Sequence, residues 1–247
     1  MTDIDQVAKD MAERMEGGGK LTILTGAGVS AESGIPTFRD MGGLWGSHDI
    51  MEVATPEAFA RNPELVHMFY NERREKLPTV HPNAAHHAIA KLENALGGRF
   101  ALITQNVDDL HERAGSTRPW HMHGELVKVR CANCRTVLEW RKALSIADTC
   151  VRCSGRMRPH IVWFGEIPFY MEDVIPEALE CEVFMSIGTS GVVYPAAGFA
   201  ALAQARGAFT VEVNLERTTS TFDAQLVGKA AEIMPMLADQ VLALATP

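Results

Sequence analysis

Leu21-Thr22-Ile23-Leu24-Thr25-Gly26-Ala27-Gly28-Val29-Ser30-Ala31 is the stretch on which the fold turns. Its first five residues are a short, largely apolar run of the kind that fills a buried strand. The run passes directly into G-x-G-x-x-A, a pattern that follows a strand and opens a helix in dinucleotide-binding proteins. Glycines there let the backbone approach a pyrophosphate, and the helix N-terminus supplies N–H donors. An NAD-linked dehydrogenase would carry an acidic ribose ligand after a second strand about 20 residues on. Here Thr37 to Trp45 reads as a loop, and Asp49 and Glu52 follow no convincing strand. Hydride transfer is therefore disfavoured.

Working outward, Ile4, Val7, Ala8, Met11 and Met15 share a helical face, and Gly17-Gly18-Gly19 ends that helix. The pattern predicts a helix from Pro56 to about Lys76 and another from His81 to Leu96. Further strands are expected at Phe100–Thr104, Val183–Ile187 and 209–213, with helices at about Ala196–Ala205 and Met236–Ala245. Strands alternating with helices predict an α/β fold, a Rossmann-like parallel sheet covered on both faces. Ligands of such sheets bind beyond the carboxyl ends of the strands. The loops 26–39, 105–109, 188–194 and 214–216 should therefore meet at one rim.

The chain has 247 residues, 47% hydrophobic and 22% charged, with a formal net charge of −8. That suits one large domain with a small insertion. No dense basic patch is visible, so nucleic acid is not an expected partner. No membrane span or signal peptide is visible, so the expected location is cytoplasmic, with monomer as the default state. Cys131-x-x-Cys134 and Cys150-x-x-Cys153 stand 15 residues apart. In a non-secreted chain this spacing predicts one tetrahedral Zn²⁺ held by four thiolates, structural because no coordination position stays open. Cys181 reads as a small core residue. The expected division is a Rossmann-like body, 1–123 and 161–247, and a zinc module, 124–160, with a helical part of the smaller domain at about 40–76.

The stretch from Gly26 to Arg39, Gly-Ala-Gly-Val-Ser-Ala-Glu-Ser-Gly-Ile-Pro-Thr-Phe-Arg, closely resembles the NAD-loop signature of the sirtuin family. So do Thr104-Gln105-Asn106-Val107-Asp108, His121-Met122-His123-Gly124-Glu125 and Gly188-Thr189-Ser190. The resemblance runs from about residue 20 to 235 and is strongest to bacterial desuccinylase- and demalonylase-like members. It implies NAD-dependent removal of succinyl, malonyl or acetyl groups from lysine side chains, giving nicotinamide and O-acyl-ADP-ribose. Acylated lysine proteins would be the partners. It also implies that NAD lies against Gly26, Ala27, Gly28, Ala31, Glu32, Thr37, Phe38, Arg39 and Trp45. Gln105, Asn106, Val107 and Asp108 would hold the ribose and nicotinamide region. Gly188, Thr189, Ser190, Asn214, Leu215, Glu216 and Ala230 would complete the adenosine side. Val162, Trp163, Phe164, Gly165 and Glu166 would pair with the substrate peptide.

By the same resemblance His123 is the general base, with Asn106 beside it in the catalytic set. Histidine suits that task because its ordinary pKa lies near neutrality. His121, two residues away, would face the other side of an extended segment. Tyr70 and Arg73 share a helical face at i, i+3 and match the family's pair for a distal acyl carboxylate, with Ala54 leaving room for the longer chain. Arg74, the local competitor, points about 100° around the helix. The alternative on the same scaffold is protein ADP-ribosyl transfer.

Overall fold

The computed structural model describes residues 4–37, 44–45 and 48–245. Along the chain run α1 (Ile4–Met15), β1 (Leu21–Thr25), α2 (Ala27–Ala31), β2 (Leu44–Trp45), β3 (His48–Asp49) and α3 (Ile50–Val53). Next come α4 (Pro56–Arg61), α5 (Pro63–Lys76), α6 (Ala84–Leu96), β4 (Phe100–Thr104), α7 (Leu110–Ala114) and β5 (Pro119–His121). Then β6 (Gly124–Cys131), β7 (Val137–Glu139), β8 (Met157–Ile161), α8 (Met171–Leu179) and β9 (Val183–Ile187) follow. The chain closes with α9 (Phe199–Ala205), β10 (Phe209–Asn214), β11 (Ala224–Val227) and α10 (Ala230–Ala245).

Six strands form one sheet in the order β11-β10-β9-β1-β4-β5, and every pairing is parallel. All five residues of β1 and of β9 are buried, as strands covered on both faces must be. On one face Val7, Met11, Ile89, Leu92, Leu237 and Val241 bring α1, α6 and α10 onto the sheet. On the other, Val174, Ala178, Phe199 and Ala203 bring α8 and α9. The parallel direction puts the loops after β1, β4, β9 and β10 at one rim, as expected.

A second sheet, β7-β6-β8, is antiparallel; Cys131 ends β6, and the other three cysteines lie in the turns beside it. It shares a core with the helices before it: Phe59, Val66, Phe69 and Tyr70 pack with Leu126, Val127, Ile161 and Trp163. Among the described residues no helix is long and apolar enough to cross a membrane.

The helix expected from Pro56 to Lys76 is two helices. Asn62 breaks it with φ −143 and ψ 77, and its side chain caps α5 by accepting from the Leu65 N–H at 3.1 Å. Pro63 then occupies the first turn, where its missing N–H is harmless. The helix expected from His81 starts at Ala84, because Asn83 and His86 form a reciprocal cap. The last helix begins at Ala230, six residues before the expected Met236.

Candidate active site and zinc centre

The glycine-rich turn is built by interlocking with its neighbour. Gly28 N–H donates to the Gly188 carbonyl at 2.8 Å. A Cβ on Gly26 would meet Gly188 O at 2.8 Å, and one on Gly28 would meet Gly188 Cα at 2.7 Å. Gly188 itself needs φ +61, which a side chain would strain. Thr189 is buried, and its carbonyl accepts from Asn214 Nδ2 at 2.7 Å. The loops after β1, β9 and β10 are thus tied by a backbone bond and by the Asn214 side chain. Beside them a crevice is lined by Leu24, Gln105, Thr189, Gly191 and Thr218.

The loop after β4 joins the same rim. Gln105 N–H donates to the Thr25 carbonyl at 2.9 Å, and Asn106 N–H donates to Thr104 Oγ1 at 3.0 Å. Asn106 Nδ2 donates to Ser30 Oγ at 3.1 Å, and Ser30 Oγ donates to Asp108 Oδ2 at 3.1 Å. His86 Nε2 lies 3.3 Å from the same hydroxyl. Its Nδ1 accepts from Asn83 N–H at 3.3 Å, so in the neutral ring Nε2 carries the proton. Burial lowers the His86 pKa to about 4, which keeps the ring neutral. Burial raises the Asp108 carboxyl to about 6, against the opposing donors Leu110 N–H and Ser30 O–H. Ser30 thus connects the phosphate turn, α6 and the β4 loop through one hydroxyl.

His121 and His123 point to different partners and take different states. His123 Nδ1 lies 3.2 Å from the Gln105 carbonyl. Burial lowers its pKa, so the ring is neutral at pH 7. A carbonyl can only accept; Nδ1 therefore holds the proton, and Nε2 presents a lone pair. His121 is buried between two acceptors, the Asn106 carbonyl at 3.0 Å from Nδ1 and Glu112 Oε1 at 2.8 Å from Nε2. Both nitrogens can donate only in the imidazolium. Burial disfavours that cation, yet Glu112 and Glu125 outweigh it and raise the pKa.

Tyr70 and Arg73 do lie on one side of α5. Tyr70 is fully buried, and its hydroxyl accepts from Trp163 Nε1 at 3.0 Å. Arg73 is half-buried; its guanidinium sits 3.4 Å from the Phe69 ring centroid and donates to the Phe69 carbonyl at 2.8 Å. Arg74 is turned elsewhere, donating to the Leu126 carbonyl at 2.7 Å. Ala54 is buried beside Tyr70 in the same core, and its carbonyl accepts from Phe164 N–H at 3.0 Å.

Residues 162–166 lie just beyond β8 as a loop, with Val162 N–H donating to the His123 carbonyl at 2.9 Å. Phe164 is exposed, while Gly165 has φ +89 and turns the chain back. Glu166 is bonded inward to Arg130 and Arg158. Glu32 is also engaged within the protein: Oε1 accepts from Ala231 N–H at 3.0 Å, at the start of α10 beside buried Ala230. Ala27, Ala31, Thr37, Val107, Ser190, Leu215 and Glu216 lie on the rim loops or the turn that opens α2. Phe38 and Arg39 lie outside the described residues, and Trp45 is described only as part of β2. Ser30 and His86 are additions of the structure to the site. Ser30 stood inside the quoted motif, whereas nothing local marked His86.

In the small sheet the four sulfurs of Cys131, Cys134, Cys150 and Cys153 all lie within 4.8 Å of one another. Cys131 and Cys153 sulfurs are 3.5 Å apart, and Cys134 and Cys150 are 3.6 Å apart. Thiolates about 2.3 Å from one tetrahedral zinc are separated by slightly more than this, so the residues fit the ion. The N–H groups of Asn133, Cys134 and Arg152 point at the sulfurs from 3.4 to 3.5 Å, which stabilises thiolate charge.

Residues 26–195 match the model of the Sir2 family. The NAD-dependent protein deacylase of Salmonella typhimurium is 50% identical over 244 residues, covering 96% of this chain and 88% of that one. That of Pasteurella multocida is 53% identical over 229 residues, 90% of this chain and 98% of that one. A solved Sir2 homolog–NAD complex superposes with a TM-score of 0.88 at 43% identity, covering 99% and 96% of the two chains. A Sir2 protein bound to a myristoylated histone peptide gives 0.74 at 34% identity, covering 98% and 97%. With the glycine interlock, the β4 loop and the four-cysteine centre in one chain, the protein belongs to the Sir2 family.

Proposed function

We propose that this protein removes acyl groups from lysine side chains at the expense of NAD⁺, with His123 as the general base. It is an NAD-dependent lysine deacylase with one structural zinc. Bound NAD⁺ supplies a ribose carbon activated by a neutral leaving group, nicotinamide. The observation that carries the residue assignment is the fixed His123 ring. With Nδ1 anchored on the Gln105 carbonyl, its Nε2 lone pair can take a hydroxyl proton. Its lowered pKa keeps that lone pair available at neutral pH, so activity should be lost only as pH falls below the ordinary histidine range.

Asn106 presents its amide from the same loop, and Asp108 an acid held by Ser30. Gly26 to Ala31 and Gly188 to Ser190 would cradle the dinucleotide, with Gln105 and Val107 behind it and Asn214 to Glu216 on its adenosine side. Glu32 serves this side by holding the start of α10. Residues 162–166 would flank the peptide.

The acyl preference we assign is for chains ending in a carboxylate. A buried phenol and a half-buried guanidinium on one face of α5 make a donor pair suited to that group. We also treat 124–160 as a zinc module set into a body of 1–123 and 161–247, with α3, α4 and α5, between Ile50 and Lys76, covering the module's inner side. This is supported by the separate antiparallel sheet and the core it shares with α3, α4 and α5. A cytoplasmic, monomeric state completes the proposal; four close thiols suit a reducing compartment.

The test is mass spectrometry of succinyl- and acetyl-lysine peptides with NAD⁺. Wild type should remove both groups. His123→Ala should lose both by about 10²- to 10⁴-fold, and Arg73→Met should lose desuccinylation far more than deacetylation. Transfer of ADP-ribose onto the peptide without acyl loss would favour the alternative reaction.

A further inference from the structure

We infer that Trp163 is a positioning residue for acid-acyl selectivity: its indole N–H fixes the Tyr70 hydroxyl so that a substrate carboxylate meets a donor already aimed. The inference rests on the reading of Tyr70 and Arg73 as the carboxylate pair. The two rings are 93 residues apart in sequence, both buried, and joined by the 3.0 Å bond from Nε1 to the hydroxyl. An indole N–H can only donate. It therefore occupies one lone pair of the Tyr70 oxygen and confines the O–H to directions away from the indole. A hydroxyl that accepts in this way also donates more strongly. Burial pushes the Tyr70 phenol well above its ordinary value, so the proton to be donated stays in place.

The indole is itself clamped. Arg158 lies 3.3 Å from the centroid of the Trp163 ring, above its π face. That guanidinium donates to both Glu166 oxygens, at 2.7 and 2.9 Å, and to the Ile161 carbonyl at 2.9 Å. Glu166 also accepts from the backbone N–H of Trp163 at 2.9 Å, across the turn that Gly165 permits. The cation over the ring favours the indole electrostatically and excludes water from it. The chain Glu166–Arg158–Trp163–Tyr70 thus runs from the small sheet to the acyl side of α5. An acetyl group has no carboxylate to meet the hydroxyl, so the direction of the O–H matters for dicarboxylic acyl chains and little for acetyl.

The experiment is steady-state kinetics on succinyl- and acetyl-lysine peptides with Trp163→Phe, Tyr70→Phe and the double variant, all zinc-loaded. Replacing Trp163 by β-(3-benzothienyl)alanine, which keeps the indole shape without the N–H, covers the case in which phenylalanine disturbs the fold. Loss of the N–H should lower kcat/KM for succinyl-lysine about tenfold more than for acetyl-lysine. In the Tyr70→Phe background the same change should move that ratio less than about twofold. Equal loss on both peptides, or an undiminished effect without the Tyr70 hydroxyl, would reduce Trp163 to a packing role and overturn the inference. A succinyl-to-acetyl ratio untouched by Tyr70→Phe and Arg73→Met would instead remove the carboxylate pair on which the inference stands.

Discussion

The parallel sheet and the four-cysteine sheet are held together by different physics. Around the large sheet, an apolar cluster runs continuously from Val7 on α1 to Val241 on α10. Around the cysteines the buried cluster is Val129, Leu144 and Met157 with Cys131 and Cys150 themselves. A core that small cannot offset the entropy of ordering the turns that carry the cysteines, whereas the other end of the sheet packs on α4 and α5 through Leu126, Val127 and Ile161. The body is therefore stable by burial, and the cysteine end of the small sheet by its metal. The difference also separates positions: the body carries the glycine-rich loops, and Trp163 and Glu166 follow directly on β8, the last strand of the small sheet.

The strongest way to break this contrast is to remove the metal. Zinc binding contributes about 10–16 kcal/mol in isolated zinc peptides. A chelator, or Cys150→Ser, should melt the small sheet first, giving two calorimetric transitions and at least about 100-fold loss of deacylation. One unchanged transition in metal-free protein would erase the distinction. On the other side, Leu102→Ala, at a buried position of β4, should cost about 2–5 kcal/mol in urea unfolding, with zinc content per chain unchanged. Loss of zinc at the same denaturant concentration as the sheet would mean that the two parts unfold as one.

The smallest effect lies at the seam. His121 on β5 and Glu112 on α7 belong to the body, whereas Glu125 and Lys128 belong to β6 and pair with one another. His121 has a raised pKa, so its contribution is full below its ordinary value of 6.5 and is lost as pH rises through the folded value. Glu112 has a lowered pKa despite burial, through His121, so its contribution is full above 4.5 and is lost as pH falls. Glu112→Gln should therefore destabilise most between those limits. Solvent at the half-exposed Glu112 keeps the effect on the order of 0.5 kcal/mol. A pH-independent difference in urea midpoint would mean that the hydrogen bond, not the charge, holds the seam.

The four strands expected from apolar runs, β1, β4, β9 and β10, form the centre of the sheet because strands buried on both faces are continuous in sequence. The outer strands β5 and β11 escaped the reading: Pro119-Trp120-His121 and Ala224–Val227 carry no such run. The break at Asn62-Pro63 is legible as a cap followed by proline, although the apolar pattern runs on across it. The cysteine spacing foretold the cluster because the ligands come in local pairs. The Ser30–His86 contact and the Trp163–Tyr70 bond were not legible, since each joins residues far apart through tertiary packing. Glu32 belongs to a motif associated with the dinucleotide, yet its partner is a helix start 199 residues away.

The glycines at 26, 28 and 188 carry a consequence for how this protein can vary. A methyl added at any of them would strike the backbone of the facing loop rather than a side chain. No second substitution can make room, because the opposing surface at Gly188 and Gly28 is already glycine and has nothing left to trim. The two loops are a lock without a key of smaller size. Their sequences can change only by moving both strands apart, and the five-residue registers of β1 with β9 hold those strands in place.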